Sequence, residues 1–86
     1  MFTKNENGKW VPTGKDVMFP WEVPPLDGWY IVCLNHYVRD GNKRIFCAMS
    51  RNGVLIEARG DDTKSVFWRL VNQAEVWNKV WKTGRE

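Results

Sequence analysis

Long apolar runs are missing from this 86-residue sequence. A membrane-spanning helix needs about 20 consecutive, mostly apolar residues, and no segment approaches that length. A basic-then-apolar leader is missing too, since Met1–Pro12 is polar and rich in turn formers. Cysteine is scarce. Cys33 and Cys47 are too few for a disulfide scaffold. Together with the single histidine, His36, they fall short of the four closely spaced ligands of a structural zinc site. No metal and no cofactor is therefore expected.

Enzyme signatures are equally thin. The chain carries no P-loop, dinucleotide glycine fingerprint, HExxH or GxSxG. His36 is the one side chain whose unperturbed titration falls near neutrality, and it sits within a strand-like run as a structural residue. Asp61 and Asp62 are adjacent, so an extended backbone would point them apart. Paired carboxylates would also need a cleft that so short a chain can scarcely form. These absences argue against an enzyme.

Charge of one sign is not concentrated. Thirteen Lys and Arg face ten Asp and Glu, a net charge of +3. Residues 1–43 balance five against five, so residues 44–86 carry the whole excess, eight basic against five acidic. Phosphate contacts dominate nucleic-acid affinity, but no Lys/Arg run is present. Nucleic acid is thus the alternative partner, not the first.

What is abundant is tryptophan: six, with four Phe and two Tyr. Large aromatics give a small chain much buried area per residue. Trp21, Trp29, Trp68, Trp77 and Trp81 fall where a core would use them, whereas Trp10 reads as more exposed. Trp, Tyr and Arg also dominate protein-interaction hot spots. On that ground the candidate binding residues are Trp10, Tyr37, Arg39, Arg44, Arg51, Arg59 and Arg69. The two cysteines lie in apolar runs and read as reduced core thiols. A disulfide between paired strands is the alternative.

The chain divides into three parts. Residues 1–28 form a proline-rich arm, with a turn at Asn5–Gly8 that could close a small hairpin. Its segment Met18–Leu26 is expected to run extended across the sheet and plug the core with Phe19, Trp21 and Leu26. Residues 29–71 read as a β-meander. Its strands are Trp29–Val38, Arg44–Ser50, Val54–Ala58 and Ser65–Val71. Asp40-Gly41 and Asn52-Gly53 supply the first two turns. Residues 72–82 read as a helix, with Asn72 and Glu75 as a capping box and Val76, Trp77, Val80 and Trp81 as the docking stripe. The expected fold is a single α+β domain: an antiparallel meander of four to five strands with one C-terminal helix.

Strand alternation places Tyr30, Val32, Leu34, His36 and Val38 on one face of the first strand. Trp29, Ile31, Cys33, Asn35 and Tyr37 take the other. Both faces are apolar, so one should meet the helix. The other should meet the arm, a second copy of the chain, or a partner.

The segment Val23-Pro24-Pro25-Leu26-Asp27-Gly28-Trp29-Tyr30-Ile31-Val32, followed after two hairpins by Phe67-Trp68-Arg69-Leu70, resembles a family of short phage and prophage proteins of unknown function. There a Leu-Pro-x-x-Gly segment leads into an apolar Val-Leu-Val strand, and a His-Trp-x-x-Leu-Pro strand closes the domain. Here Phe67 replaces the histidine and Val71-Asn72 stands in place of the closing proline. The likeness spans residues 21–71. It implies a phage setting and a small mixed fold, and it brings no catalytic residue.

The functional expectation is a non-enzymatic, phage-encoded binding protein of the host cytoplasm. It would occupy a surface of a host protein, such as a defence or nucleic-acid enzyme, as an inhibitor or modulator. The alternative is a nucleic-acid or nucleotide-binding module, including a sponge for a nucleotide signal. No membrane partner is expected, and a homodimer would fit the apolar faces.

Overall fold

The computed structural model describes residues 2–12 and 22–84. The expected roles of Phe19 and Trp21 lie outside the described residues. The element order is β1 (Phe2–Lys4), β2 (Trp10–Pro12), a 3-10 turn (Pro24–Leu26), β3 (Tyr30–Arg39), β4 (Asn42–Arg51), β5 (Val54–Gly60) and α1 (Thr63–Gly84). The fold is α+β. Among the described residues there are five strands, but in two antiparallel sheets: the hairpin β1–β2 and the meander β3–β4–β5.

Both meander turns form where two-residue signals place them. Asp40 and Gly41 have φ of 53° and 78°, and Asn52 and Gly53 have 53° and 79°. Positive φ at both central positions matches the twist of the flanking strands, and Asp-Gly and Asn-Gly accept it at low steric cost.

The expected fourth strand, Ser65–Val71, is helix instead, and α1 begins at Thr63 and not at Asn72. The β-branched and aromatic composition of this stretch suggested a strand, but its spacing suits a helix. Val66, Phe67, Leu70, Val71 and Ala74 recur at i, i+1, i+4, i+5 and i+8, and all are buried. Asp62 starts the helix, its Oδ1 accepting the Ser65 N–H at 2.7 Å. Gly60 allows the first turn to close onto the end of β5. A Cβ at Gly60 would lie 3.2 Å from both Ser65 Cβ and Val66 Cγ2.

The expected docking stripe fares differently along its length. Trp81 packs against the core, while Val76 and Val80 are exposed and Trp77 is only partly covered. The face that docks is the Val66–Ala74 set one turn earlier.

One core holds the described parts together. The helix lies on the sheet face formed by Cys47, Met49, Ile56 and Ala58, all buried. Val23 and Leu26 complete it from the turn segment, at 0% and 1% exposure. Pro24–Leu26 is a 3-10 turn and not the extended run expected. Proline at its first position presets the turn, and its N–H bonds close locally, Asp27 donating to the Pro24 carbonyl at 3.1 Å. Trp29 is buried at the mouth of β3, its ring centroid 5.6 Å from that of Trp81.

A bulge rewrites the faces of β3. Ile31 pairs with Met49 but Cys33 pairs with Ala48, so Val32 is an extra residue. Directly paired residues share a face. Leu34, His36 and Val38 therefore join Trp29 and Ile31 on the helix side, opposite Cys47 and Ile45. Cys33, Asn35, Tyr37 and Arg39 take the other face with Tyr30. Simple alternation, which kept Tyr30 with Leu34 and Cys33 with Ile31, fails at this one inserted residue. The bulge also separates the thiols: both cysteines are free, Cys33 on the open face and Cys47 in the core.

Candidate functional site

The sheet face away from the helix carries most of the expected binding residues. On β3 it presents Asn35, Tyr37 and Arg39. On β4 its positions are Arg44 and Phe46, both half-buried, and Ala48 and Ser50, both buried; on β5 they are Leu55, Glu57 and Arg59. Register brings these together pair by pair: Tyr37 with Arg44, Asn35 with Phe46, and Phe46 with Arg59. The Arg59 guanidinium lies over the Phe46 ring, 5.1 Å from its centroid. Together with Asn35, His36, Tyr37 and Arg39, this stack lines an open depression of about 450 Å³.

Local bonds hold the rim. Arg44 Nη1 lies 3.2 Å from Asp61 Oδ1, while its Nε is buried with no hydrogen-bond partner among the described residues. Arg69 reaches from α1 to donate to the Arg59 carbonyl at 3.0 Å. Gln73 donates to the Glu57 carbonyl at 2.9 Å. These two helix side chains cap the outer edge of β5.

Tyr37, Arg39, Arg44, Arg59 and Arg69 thus cluster at one end of the sheet, whereas Arg51 and Trp10 do not. Arg51 braces the opposite end. Its Nη1 donates to the Asp27 carbonyl at 3.3 Å and to Asn78 Oδ1 at 3.2 Å, and its guanidinium lies 5.3 Å from the Trp81 ring centroid. Trp10 is partly buried against the core, contrary to its exposed reading. Lys4 sits over its ring at 5.4 Å. The N–H and C=O of Trp10 are engaged by Asn72, and the Trp68 indole N–H also donates to the Trp10 carbonyl. Both make contacts that tie separate elements of the fold together.

No family model matches the chain, and no curated protein or solved structure was found to resemble it.

Sequence reading missed Phe46 and Asn35 as members of the cluster. The signal was available in strand alternation on β4, which puts Phe46 beside Arg44 on one face. It needed the cross-strand register, set by the Asp40-Gly41 turn, to be connected with Tyr37 and Arg59. Among the described residues no group of three or more His, Cys, Asp or Glu is placed to hold a metal ion. No described helix is long and apolar enough to cross a membrane.

Proposed function

We propose that this chain is a non-enzymatic binding protein that docks a protein partner on the open sheet face around Phe46. The observation that carries this reading is the Arg59–Phe46 stack beside Tyr37, on the sheet face opposite the helix. Aromatic and arginine side chains presented together on a firm sheet are the composition of interaction hot spots. The cations are largely engaged already: Arg44 with Asp61, Arg59 with Phe46, and Arg69 with a backbone carbonyl. A face of this mixed character suits a protein surface better than a polyanion. In the phage setting that the family resemblance suggests, the partner is a host protein, such as a defence or nucleic-acid enzyme in the host cytoplasm. The action is steric inhibition or modulation.

The test is affinity capture from nuclease-treated host lysate with the wild-type chain and with Arg39→Glu/Arg59→Glu. Trp10→Phe serves as a control away from the face. A protein retained by wild type and the control but lost with the double variant supports the reading. Equal retention by all three overturns it.

The stacked Phe46–Arg59 pair also favours a second reading, a nucleic-acid or nucleotide site, since bases stack on aromatic and guanidinium planes. Its mark is retention on single-stranded nucleic acid that falls steeply with salt and with Arg59→Glu.

A further inference from the structure

The two edges of the main sheet are treated differently. In each two-residue hairpin the residues flanking the turn exchange hydrogen bonds, and bonded pairs then alternate along the ladder. From Arg51↔Val54 onward, this directs the N–H and C=O of Leu55, Glu57 and Arg59 away from β4. Glu57 and Arg59 are the two residues whose carbonyls Gln73 and Arg69 cap. The same count from Arg39↔Asn42 directs Leu34, His36 and Val38 outward on β3. Among the described residues no side chain caps that edge. Leu34 and Val38 are 48% and 68% exposed there.

We infer that β3 pairs antiparallel with β3 of a second copy, about a two-fold axis at His36, to form a continuous six-stranded sheet. The edge is self-complementary in three respects. Past the bulge, Cys33–Arg39 is a regular stretch, and outward groups at 34, 36 and 38 meet outward groups at 38, 36 and 34 of the other copy. The apolar positions match: Leu34 faces Val38 of the second copy on the helix side, so each exposed side chain gains an apolar neighbour. The charges do not clash. Arg39 is the one charged residue of β3, and this register sets it opposite Cys33, with the two arginines at opposite ends of the paired stretch. A parallel pairing in register would stack them. Natural edges are commonly guarded by charge or proline, and β3 from Tyr30 to Val38 has neither. The dimer would also join the two Tyr37 faces across the axis, since Asn35 falls opposite Tyr37 of the second copy.

Sedimentation equilibrium on the full 86-residue chain tests this. A dimer mass at high protein concentration, falling to the monomer mass on dilution, is expected. His36→Pro removes one outward N–H and leaves the β4 ladder intact, so a folded monomer should result. Leu34→Lys/Val38→Lys sets like charges against each other on exposed positions and should also yield a folded monomer. Arg39→Cys reads the register. Positions 33 and 39 form a non-hydrogen-bonded pair across the axis, with Cα atoms about 4.5 Å apart, within disulfide reach. Under mild oxidation that variant should become a covalent dimer through Cys33. A wild-type chain monomeric at every concentration overturns the inference. So does a dimer that survives the double lysine variant, or an Arg39→Cys variant that fails to cross-link.

Discussion

Asn72 and Trp10 exchange hydrogen bonds across 62 residues of chain. The Trp10 N–H donates to Asn72 Oδ1 at 3.3 Å, and Asn72 Nδ2 donates to the Trp10 carbonyl at 3.3 Å. A mid-helix asparagine thus gives β2 the two backbone partners it would otherwise find in a third strand. Asn72 Nδ2 also reaches the Trp68 carbonyl one turn back at 3.1 Å. Lys4 pairs with Glu75 at 2.7 Å, a second tie from the hairpin to the same helix.

Replacing Asn72 with Ala should therefore loosen the hairpin without unravelling the helix. Three side-chain bonds are lost, of which the two to the hairpin are each worth about 1 kcal/mol net. Alanine returns about half a kcal/mol of helix propensity. The expected result is a destabilisation of roughly 1–2 kcal/mol in urea unfolding. Amide exchange should accelerate locally at Trp10. Unchanged protection of the Trp10 amide would show that the hairpin is held by other contacts.

Asn78 does for the far end of the helix what Asn72 does for the middle. Its Oδ1 accepts from the Trp29 indole at 3.3 Å and from Arg51 Nη1 at 3.2 Å, and its Nδ2 donates to the Pro25 carbonyl at 2.9 Å. One amide links α1, the 3-10 turn, the end of β4 and the residue before β3. Asn78→Leu would leave the Trp29 N–H and the Pro25 carbonyl without this partner, at a cost of about 2–4 kcal/mol. Trp29 fluorescence should shift as its ring loses that anchor. A loss below about 0.5 kcal/mol would mean that water replaces the amide at no penalty.

The parts of the fold legible in the sequence were those written in local chemistry. Asp40-Gly41 and Asn52-Gly53 locate two turns, and three strands follow from the runs between them. The N-terminal hairpin follows likewise from its Asn-Gly turn region. The start of the helix was misread because Ser65–Val71 has strand composition and helix spacing, and burial against Cys47, Met49 and Ile56 decides between them. The bulge at Val32 leaves no mark in the residue pattern. It appears only when β3 must match β4 at both ends, and the side chains beyond it then change face. The cross-linking roles of Asn72, which reads as a helix cap, and of Asn78 are hidden in the sequence for a related reason. Asparagine in a helical stretch reads as a cap or a surface residue unless its distant partner is known.

Asp62, and not Asn72, is the helix cap, so acid should act there. The Ser65 backbone N–H, and then the Ser65 side chain, hold the Asp62 carboxyl below its ordinary range. The unfolded carboxyl titrates near ~3.9. A lowered folded value means that the contribution of Asp62 is complete above that pH. It disappears as pH falls through the folded value. Asp62→Ala should cost about 1 kcal/mol at neutral pH. Asp62→Asn, an equally good cap, should keep neutral stability and remove part of the acid sensitivity. An Asn variant with the same acid midpoint as wild type would detach the cap from the pH response.

The two thiols should differ sharply in reactivity. Cys47 is fully buried beneath the helix, and burial, with Cys33 as the lesser cause, pushes its thiol up to about 11. Cys33 is partly exposed on the opposite face, where the Asn35 amide donates to its sulfur at 3.2 Å. The thiolate is the reactive form, so one thiol per chain should label under native conditions and two in denaturant. Peptide mapping should place the first label on Cys33. Oxidation should not link the two within one chain, because their side chains leave the sheet on opposite faces and a bridge needs converging Cβ vectors. Equal labelling rates, or an intramolecular Cys33–Cys47 disulfide in the folded protein, would remove the bulge at Val32, since an unshifted register would place the two cysteines differently.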